Sequence, residues 1–415
     1  MAPERIVIVG AGQAGGRAAE ALRNTGFKGE VLLLGEEAHE PYERPALSKG
    51  VLLGEEPAAR TLIHPRAWYA AQKIDLRTGT RVEAIAPVSQ TVLTAQGERI
   101  EYSRLLLCTG SRVRPLVGAN EALRGVHYLR TIGDSERLSA ELRPGRRIVI
   151  IGGGFIGLEV ASSAARRGLS VRVVERQGAL LDRALPAEIA AHVESLHRSQ
   201  GVQLHLGVSV ARIHGSEAVQ GVELADGTNL EADLVVVGIG IIPNTELAEA
   251  AGAVSSDGIV VDEYCRTSVA NIYAAGDATN HYNLLLDRRI RLESWQNAQN
   301  QAVAAARNMS GNAKPYAEIP WFWSDQLGRN IQMVGMAEPG LEIIWRGEPG
   351  AGRCMAFGLR EGRVRLAVAF DLGGEIRHAR RLIESQAPVT ERRLTDLQSK
   401  LKDLVPDKAA RPLAA

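Results

Sequence analysis

A strand–turn–helix motif with the glycine spacing G-x-G-x-x-G occurs twice in the chain, at residues 5–15 and again at residues 147–157. In each copy a run of aliphatic residues leads into the glycines, and a helical stretch follows them. A second aliphatic strand then ends in an acidic residue, Glu36 in the first copy and Glu175 in the second. This order is typical of a dinucleotide-binding unit. The chain is therefore predicted to hold two dinucleotides and to pass electrons from one to the other.

The glycines of each motif have separate roles, taken in the order Gly10, Gly12 and Gly15 in the first copy and Gly152, Gly154 and Gly157 in the second. The first allows the tight turn at the strand end, and the second lets a pyrophosphate approach the backbone. The third lets the helix pack closely on the sheet. The pyrophosphate then lies at a helix N-terminus, where free N–H groups and the helix dipole favour an anion. Phe155 and Ile156, inside the second motif, are also predicted to contact its dinucleotide.

The acids at the two strand ends indicate which dinucleotide is preferred. Glu36 and Glu175 stand where a carboxylate accepts hydrogen bonds from a ribose 2′-OH; the alternative is an acid that simply ends a strand in solvent. A carboxylate at Glu175 also repels a 2′-phosphate, so NADH is favoured over NADPH. Arg176 works against this preference because an arginine can pair with that phosphate.

Composition excludes several classes of protein. With 415 residues the chain is expected to form two or three domains, and 49 basic against 48 acidic residues suggest neither a nucleic-acid nor a membrane partner. No apolar run approaches the ~20 residues of a membrane span, and no signal-peptide pattern precedes the first strand. The cysteines, Cys108, Cys265 and Cys354, form no C-x-x-C motif, and the histidines show no metal-ligand spacing. We therefore expect a cytoplasmic protein with reduced thiols and no metal site.

The predicted fold class is α/β, with two Rossmann-like dinucleotide-binding domains of the glutathione-reductase type and a C-terminal α+β domain. The first strand run closes at Thr109 and Gly110, where backbone can lie against a ligand, and the second closes at Gly240. A helix is predicted from about 294 to 308, strands alternate with turns from 316 to 370, and a charged helical stretch follows. The expected domains are a first dinucleotide-binding domain at 1–110 and 241–315, a second dinucleotide-binding domain at 111–240, an interface domain at 316–404 and a disordered tail at 405–415.

The chain resembles the FAD-dependent NADH–ferredoxin reductases of bacterial oxygenase systems, of the putidaredoxin reductase and biphenyl-dioxygenase reductase type, over nearly its whole length. Besides the glycine motifs, the resemblance rests on PYERPALSK at 41–49, YLRT at 128–131, AGD at 275–277 and PWFWSDQ at 320–326. The last motif is the most specific to this group. Ala46 departs from the pattern, where a second proline is expected. The same stretch also resembles plant-type monodehydroascorbate reductases.

The resemblance implies FAD on the first glycine motif and NADH on the second. Carried over residue by residue, it assigns contacts with FAD to Ala14, Glu36, Arg44, Lys49, Val82, Arg130, Asp277 and Trp295. Asp277 is suited to a ribityl hydroxyl because it follows a strand end; an N-cap role is compatible with that contact. The helix after Trp295 is expected to direct its N-terminus at the flavin edge where negative charge gathers on reduction.

The resemblance also implies an ion pair of Lys49 with Glu159 beside the flavin N5, where the hydride lands. Such a pair can steady the developing charge and orient the nicotinamide. The alternatives are a solvent-exposed lysine and an acid near the start of its helix. Trp321 is expected over the flavin edge, shielding it and offering a short route outward for single electrons, although Trp321 or Trp323 can equally be core.

Together these features predict a flavoprotein that takes a hydride from NADH and passes single electrons to a 2Fe–2S ferredoxin, which feeds a cytochrome P450 or a Rieske-type oxygenase. The ferredoxin is expected to be acidic, and Arg288, Arg289 and Arg291 are candidates for steering it, with a solvated surface as their alternative role. The protein is expected to be a monomer or a homodimer. Three other functions stay open: a monodehydroascorbate or quinone reductase, a glutathione-type disulfide reductase, which the cysteine pattern disfavours, and a redox interaction protein like apoptosis-inducing factor.

Overall fold

The computed structural model describes residues 4–118 and 123–405, which form two compact units. The first unit comprises residues 4–45, 57–112 and 241–318. The second comprises residues 46–56, the described part of 113–240, and 319–405. Of the tail predicted to be disordered, residues 406–415 lie outside the described residues.

The strands are, in chain order, β1 (Arg5–Val9), β2 (Glu30–Leu34), β3 (Ile74–Arg77), β4 (Val82–Ala86), β5 (Thr91–Thr94), β6 (Arg99–Glu101), β7 (Arg104–Leu107), β8 (Ser111–Val113), β9 (Val126–His127), β10 (Arg147–Ile151), β11 (Ser170–Glu175), β12 (Gln203–Leu206), β13 (Val210–Gly215), β14 (Val219–Leu224), β15 (Asn229–Glu231), β16 (Leu234–Val237), β17 (Ile241–Pro243), β18 (Ile259–Val261), β19 (Ile272–Ala274), β20 (Thr279–Asn283), β21 (Arg288–Ile290), β22 (Trp321–Gln326), β23 (Arg329–Gly335), β24 (Glu342–Arg346), β25 (Cys354–Arg360) and β26 (Arg363–Phe370).

The α-helices are α1 (Gln13–Asn24), α2 (Gly50–Leu53), α3 (Arg66–Ala71), α4 (Ile132–Glu141), α5 (Phe155–Arg166), α6 (Ala187–Ser199), α7 (Glu246–Ala250), α8 (Trp295–Met309), α9 (Gly373–Ser385) and α10 (Glu391–Thr395). Short 3-10 helices occur at Pro45–Ser48, Ala58–Thr61 and Leu401–Leu404. The helix predicted near 294–308 is α8, and the predicted charged helical stretch contains α9.

The first unit is built on a parallel five-stranded sheet with the strand order β19-β7-β1-β2-β3. β1 lies at its centre, with Ile6 paired to Val31 of β2 on one side and to Arg104 of β7 on the other. Strands buried on both faces read as continuous aliphatic runs, which is why this sheet was recognisable in the sequence. Helices α1 and α8 pack together on it through small residues such as Ala18 and Ala302, both fully buried.

The second unit repeats this plan. Its parallel sheet has the order β12-β11-β10-β16-β9, with β10 at the centre, and a three-stranded antiparallel sheet, β13-β14-β15, adjoins it. The turn between β14 and β15 contains Asp226 and Gly227, with Gly227 at φ +87°. Two copies of one sequence motif thus fold into two sheets that share the order of four strands, β7-β1-β2-β3 and β16-β10-β11-β12, whereas the fifth strand follows these four in the chain in the first sheet (β19) and precedes them in the second (β9).

The C-terminal residues form an antiparallel sheet, β22-β23-β26-β25-β24, with α9 packed against β23 and β26. Its alternating aliphatic residues pack into a core shared with the second parallel sheet, since Ile331 and Phe370 belong to the same hydrophobic cluster as Ile150 and Leu158. Residues 319–405 group with the second unit for this reason, and the bounds expected for the interface domain, 316–404, stay a prediction. Residues 46–56, expected in the first domain, also group with the second unit, because Leu52 enters the same cluster.

A buried histidine gives the first unit a predicted sensitivity to acid. His281 of β20 is 1% exposed, and neither ring nitrogen has a hydrogen-bond partner among the described residues. Burial, reinforced by the positive charge of Arg289, lowers the pKa of His281 to about 4, against about 6.5 in an unfolded chain. As the pH falls through this window, the unfolded chain binds a proton that the folded chain excludes. The free energy of unfolding therefore falls by up to ~1.4 kcal/mol for each unit by which the pH decreases.

Between pH 7 and pH 4.5 the wild type is expected to lose about 2–3 kcal/mol of its free energy of unfolding through His281. The variant His281→Phe is expected not to show this loss. Urea unfolding of both proteins at the two pH values measures this difference. The control is His39→Phe, because His39 is exposed and its replacement should leave the pH dependence unchanged. An identical pH dependence of the wild type and His281→Phe would contradict the prediction.

Candidate dinucleotide cradles and the Lys49–Glu159 cluster

The first glycine turn has the shape that a pyrophosphate requires. Gly10 adopts φ +106°, and a Cβ there would lie 2.1 Å from the Cys108 carbonyl oxygen. A Cβ on Gly15 would lie 1.9 Å from the Gly10 carbonyl oxygen. By contrast, a Cβ on Gly12 would meet no described atom within 4 Å beyond its chain neighbours. The open space beside Gly12, at the start of α1, is called the first cradle below.

The second glycine turn repeats this geometry. Gly152 adopts φ +111°, and a Cβ there would lie 2.3 Å from the Gly238 carbonyl oxygen. A Cβ on Gly157 would lie 2.1 Å from the Gly152 carbonyl oxygen. The space beside Gly154 is again open, with no described atom within 4 Å of its Cβ position. This space at the start of α5 is the second cradle.

The residues around both cradles fit a dinucleotide. The residue preceding each helix is a glycine, so no side chain caps the first N–H groups of α1 or α5. In the first cradle the Gln13 side chain is only 9% exposed, and neither of its amide atoms has a hydrogen-bond partner within the described chain. Buried amides are normally satisfied. An anionic ligand in the first cradle would accept hydrogen bonds from the free N–H groups of α1 and from the Gln13 amide nitrogen.

The two strand-end acids are placed differently. The Glu175 carboxylate accepts hydrogen bonds from the backbone N–H groups of Gly153, at 2.7 Å, and Gln177, at 2.8 Å. It is therefore held against the second glycine turn. Glu36 instead forms an ion pair with Arg81 at 2.9 Å, and both side chains are about two-thirds exposed. Arg176 is exposed as well. Whether Glu36 and Glu175 bind ribose hydroxyls stays a prediction.

Arg44 lies in a charged cluster of the first unit. Its guanidinium donates to the Glu37 carboxylate at 2.6 Å and to the Tyr42 hydroxyl at 2.7 Å. Burial alone would raise the pKa of Glu37, but Arg44 and Tyr42 lower it below its ordinary value. Burial would lower the pKa of Arg44, but Tyr42, Glu37 and Asp277 raise it overall. Arg44 and Asp277, both predicted to contact FAD, therefore share one electrostatic environment.

Asp277 stands at the carboxyl end of the first sheet. It follows β19 and Gly276, and its carboxylate accepts a hydrogen bond from the Ser111 hydroxyl at 3.2 Å. The Gly276 N–H donates to the Gln301 side chain of α8 at 2.8 Å. A Cβ on Gly276 would lie 3.2 Å from the Ala14 Cβ, so small residues are required at both positions. Packing against Gly276 thus already limits the size of residue 14, whether or not Ala14 contacts FAD as predicted.

The other predicted contacts of the first unit lie along the same edge. Thr109 and Gly110 are tied to Asn244, which donates to their carbonyl oxygens through its side-chain and backbone nitrogens, each at 2.9 Å. Trp295 is half-buried and begins α8, which Ser294 caps. The Val82 side chain is 5% exposed and belongs to the core, so a ligand could reach only its backbone.

In the second unit Lys49 and Glu159 form an ion pair, with 2.9 Å between Nζ and Oε1. The pair that the resemblance implied is therefore present; its role toward a flavin stays a prediction. Glu159 lies on α5 and is 2% exposed. Two serines also bond its carboxylate: Ser48 donates to Oε2, and Ser324 donates to Oε1 at 2.6 Å. A buried carboxylate with one cation and two hydroxyl donors is fully satisfied.

Strand β22 carries the aromatic residues of the most specific motif. Trp321 stacks on Trp323 with 5.1 Å between ring centroids, and its indole N–H donates to Gln332 at 3.2 Å. The Lys49 Nζ lies 5.9 Å from the centroid of Trp323. Both tryptophans are half-buried, so neither is purely core. The electron-transfer role of Trp321 stays a prediction.

The remaining predicted contacts of the second unit are spread over three places. Phe155 begins α5 and its ring lies 4.4 Å from that of Phe322, whereas Ile156 is 46% exposed. Arg130 precedes the capped start of α4, and its backbone N–H donates to Asp134 at 3.1 Å. Gly240 ends the strand run at φ +105°.

Sequence reasoning missed several polar residues: Gln13, Glu37, Asn244, Gln301, His197, Ser48, Ser324 and Gln326. A partial signal existed for β22, where alternation predicts that Phe322, Ser324 and Gln326 share one face of the strand. Polar residues on a face that packs inward need partners, and this would have pointed to Ser324. The others have no local signal, because their partners lie far away in sequence.

Two of the arginines considered for steering a ferredoxin, Arg289 and Arg291, form hydrogen bonds or ion pairs within the first unit. Arg291 is 15% exposed and pairs with Asp257 at 2.9 Å and with Glu293. Arg289 donates to the Val261 and Asn280 carbonyl oxygens, each at 3.2 Å. These contacts favour a structural role for both arginines.

The cysteines are buried and free. Burial raises the pKa of Cys108 and Cys265 far above the ordinary value and raises the pKa of Cys354 to about 11. Protonated, buried thiols are poor redox nucleophiles. Within residues 4–118 and 123–405, no group of three potential ligands is placed to hold a metal ion. Over the same residues, no helix is both long and apolar enough to cross a bilayer.

The chain is similar to known proteins along nearly its whole length. A family model described as pyridine nucleotide-disulphide oxidoreductase matches residues 4–302, and one described as reductase C-terminal matches residues 321–405. The chain is 44% identical over 397 residues to the ferredoxin–NAD(+) reductase component of the anthranilate 1,2-dioxygenase system of Burkholderia cepacia, covering 95% of this chain and 98% of that protein.

It is 37% identical over 410 residues to putidaredoxin reductase of Pseudomonas putida, covering 97% of each. Among solved structures, the covalent putidaredoxin reductase–putidaredoxin complex matches with a TM-score of 0.95 at 37% identity, covering 98% of this chain and 99% of the matched chain.

Proposed function

The chain belongs to the pyridine nucleotide-disulphide oxidoreductase family, and on this premise we propose that it is an NADH:ferredoxin oxidoreductase. It takes a hydride from NADH onto FAD and passes single electrons to a 2Fe–2S ferredoxin that supplies a cytochrome P450 or a Rieske-type oxygenase. The similarity to ferredoxin–NAD reductases of oxygenase systems along nearly the whole chain supports this assignment.

The observation that carries the proposal is the duplicated cradle. Each compact unit contains one glycine turn with an open second glycine and an uncapped helix N-terminus. A protein that binds one dinucleotide needs only one such turn. Two turns fit a donor and an acceptor that are both dinucleotides, as NADH and FAD are.

We assign FAD to the first unit. Gly12, Ala14 and the N-terminus of α1 would hold its pyrophosphate, with Arg44 and Asp277 available to its polar groups. When bound, FAD supplies the ability to accept electrons in pairs and release them singly, which relates the two-electron donor to a one-electron acceptor. The protein contributes binding, orientation and electrostatics, and no side chain has to act as a nucleophile.

We assign NADH to the second unit, where Gly154 and the N-terminus of α5 would hold its pyrophosphate. Glu175, already fixed by two backbone N–H groups, can offer its remaining lone pairs to the adenine-side ribose. The Lys49–Glu159 pair places a cation and an anion on a rigid support, and by resemblance Lys49 lies beside the reacting part of the flavin. Such a fixed charge pair orients reactants without reorganising.

The alternative enzymes of this family differ in their electron acceptor. A glutathione-type reductase needs a reactive dithiol, and the buried thiols of the described chain do not provide one. A monodehydroascorbate or quinone reductase and a redox interaction protein would share both cradles. Measured rates of turnover with each electron acceptor therefore distinguish these proteins from a ferredoxin reductase.

The decisive experiment is anaerobic stopped-flow spectroscopy of the purified yellow protein. NADH should bleach the flavin absorbance, and a 2Fe–2S ferredoxin should then restore it within a steady-state turnover. Monodehydroascorbate and a quinone are tested as acceptors under the same conditions. Faster turnover with either small acceptor than with every ferredoxin tested would overturn the proposal, as would a long-lived reduced complex that no ferredoxin oxidises.

Two finer features are part of the same proposal. We propose that the ferredoxin is acidic, so that its reduction slows as ionic strength rises. We also propose that the protein works in the cytoplasm as a monomer or homodimer; the free, buried cysteines are compatible with a reducing compartment.

Nicotinamide specificity provides a separate prediction. Glu175→Gln keeps an acceptor near the Gly153 N–H but removes the charge that repels a 2′-phosphate. We expect the apparent Kd for NADPH to fall by roughly tenfold, the order expected when one like charge is removed near a phosphate, while the Kd for NADH changes little. The concentration dependence of flavin bleaching measures both. Glu36→Gln, the same change at the corresponding strand end of the first unit, should leave the NADPH/NADH ratio unaltered; an unaltered ratio in Glu175→Gln would contradict the prediction.

A further inference from the structure

The buried carboxylate of Glu159 is supported from two parts of the second unit. Ser48, which directly precedes Lys49, donates to Oε2, and Ser324 of β22 donates to Oε1 at 2.6 Å. Lys49 Nζ approaches the same Oε1 at 2.9 Å. Ser48 is 1% exposed and Ser324 is fully buried. The carboxylate orientation is therefore set by these three donors.

A further layer of buried residues holds Ser324. The Gln326 side-chain nitrogen lies 2.9 Å from the Ser324 hydroxyl oxygen, and the Gln326 side-chain oxygen lies 2.9 Å from Nε2 of His197 on α6. Gln326 and His197 are both 0% exposed. Because strand side chains alternate, Ser324 and Gln326 point to the same side of β22, as this chain of contacts requires.

The direction of every hydrogen bond in this chain follows from the charge at its end. The Ser324 hydroxyl has one hydrogen and donates it to the carboxylate, so it must accept from the Gln326 amide. The Gln326 oxygen then faces His197, whose Nε2 carries the hydrogen. Burial lowers the pKa of His197, in keeping with a neutral ring. All three donors thus point toward Glu159, and each strengthens the next.

Other charged side chains on the elements around α5 are engaged elsewhere. Asp325, which is exposed, accepts from Asn330, and Arg172 bonds Gln203. Arg147 pairs with Asp233, and Glu175 accepts from backbone N–H groups. In the described chain, Lys49 is the charged group in contact with the Glu159 carboxylate, and His197 is the titratable group at the far end of the chain of hydrogen bonds.

We propose that Ser48 and Ser324 are positioning residues for the Lys49–Glu159 pair, and that the C-terminal sheet, through Ser324, Gln326 and His197, keeps the Glu159 carboxylate directed at Lys49. The proposal rests on the proposed function, in which Lys49 stands beside the flavin. It gives the C-terminal sheet a part in the hydride-transfer site of the reaction, in addition to any part in docking a ferredoxin.

The test compares Ser324→Ala and Ser48→Ala with Ser162→Ala. Ser162 is a matched control because it is 5% exposed, lies on α5 and bonds the chain next to β22 through the Leu327 N–H at 2.7 Å, without touching Glu159. Without one of its hydroxyl donors, the Glu159 carboxylate is held less firmly against Lys49. We expect the rate constant for flavin bleaching by NADH to fall roughly tenfold in Ser324→Ala and Ser48→Ala, the effect of losing one hydrogen bond to a charged group, and to keep the wild-type value in Ser162→Ala.

The second readout is the midpoint potential of the bound flavin, measured against reference dyes. In Ser324→Ala and Ser48→Ala it should become more positive than in the wild type, because a Glu159 carboxylate that is less well directed at Lys49 compensates the charge of Lys49 less. Ser162→Ala should match the wild type in both readouts. Ser324→Thr, which keeps the donor, should restore the behaviour of the wild type.

The outcomes separate this inference from the proposed function. A wild-type protein that NADH does not bleach would refute the proposed function. A wild type that is bleached, with Ser324→Ala and Ser48→Ala matching Ser162→Ala in both readouts, would overturn the inference alone. If Ser324→Ala yields no flavin-loaded protein, Ser48→Ala decides by the same two measurements.

Discussion

Replacing Gly12 with alanine is expected to give a folded protein that binds FAD roughly 10–100-fold more weakly than the wild type. The added Cβ meets no described atom of the chain within 4 Å, and the backbone at φ −90° accepts alanine without strain. The methyl group would instead occupy the first cradle, where a pyrophosphate approaches the backbone. Overpacking a tight contact by one methyl costs about 1–3 kcal/mol, which corresponds to this loss of affinity.

The same substitution in the other cradle is the matched control. Gly154→Ala should retain FAD and its yellow colour but require roughly 10–100-fold more NADH for half-maximal bleaching. Flavin fluorescence titration measures the first affinity, stopped-flow bleaching measures the second, and thermal unfolding confirms that both variants fold. Gly15→Ala should instead destabilise the first unit, since its Cβ would lie 1.9 Å from a carbonyl oxygen. Full FAD affinity in Gly12→Ala would remove the first cradle from the flavin site.

Replacing Lys49 with methionine is expected to slow hydride transfer by roughly 100-fold and to lower the free energy of unfolding by about 3 kcal/mol. The carboxylate of Glu159, 2% exposed, would lose its cation at 2.9 Å. Removing one partner of a buried pair leaves an uncompensated charge and costs about 3–5 kcal/mol. The two serine donors offset part of this cost.

A double variant separates stability from chemistry. Lys49→Met combined with Glu159→Gln removes both charges, so urea unfolding should show most of the stability restored, while stopped-flow bleaching by NADH stays slow. The control is Arg166→Met, which breaks the pair of Arg166 with Glu55 between the same two segments; both side chains are about half exposed. Exposed pairs contribute about 0–1 kcal/mol. A Lys49→Met protein with wild-type bleaching rates would exclude Lys49 from the hydride-transfer site.

Both cradles and the fold class built around them could be predicted from the order of the residues alone. A glycine turn, the strand before it and the helix after it are local features. A stretch of about thirty residues is therefore enough to predict the conformations they require. Gly10 and Gly152 indeed adopt positive φ, and the Cβ positions of Gly12 and Gly154 are open. The Lys49–Glu159 pair came from the resemblance alone, since no local rule relates two residues so far apart.

The residues that support that pair, and the segments that share a core, are evident only in the folded chain. Ser48 and Ser324 lie 111 and 165 residues from Glu159, and Gln326 lies 129 residues from His197. Serine and glutamine are common in every kind of segment, so their identity carries no signal until packing brings them to a buried charge. The grouping of residues 46–56 and of the C-terminal sheet with the second unit has the same origin. Burial of shared apolar surface depends on the arrangement of distant elements, whereas a glycine turn depends only on its neighbours in the chain.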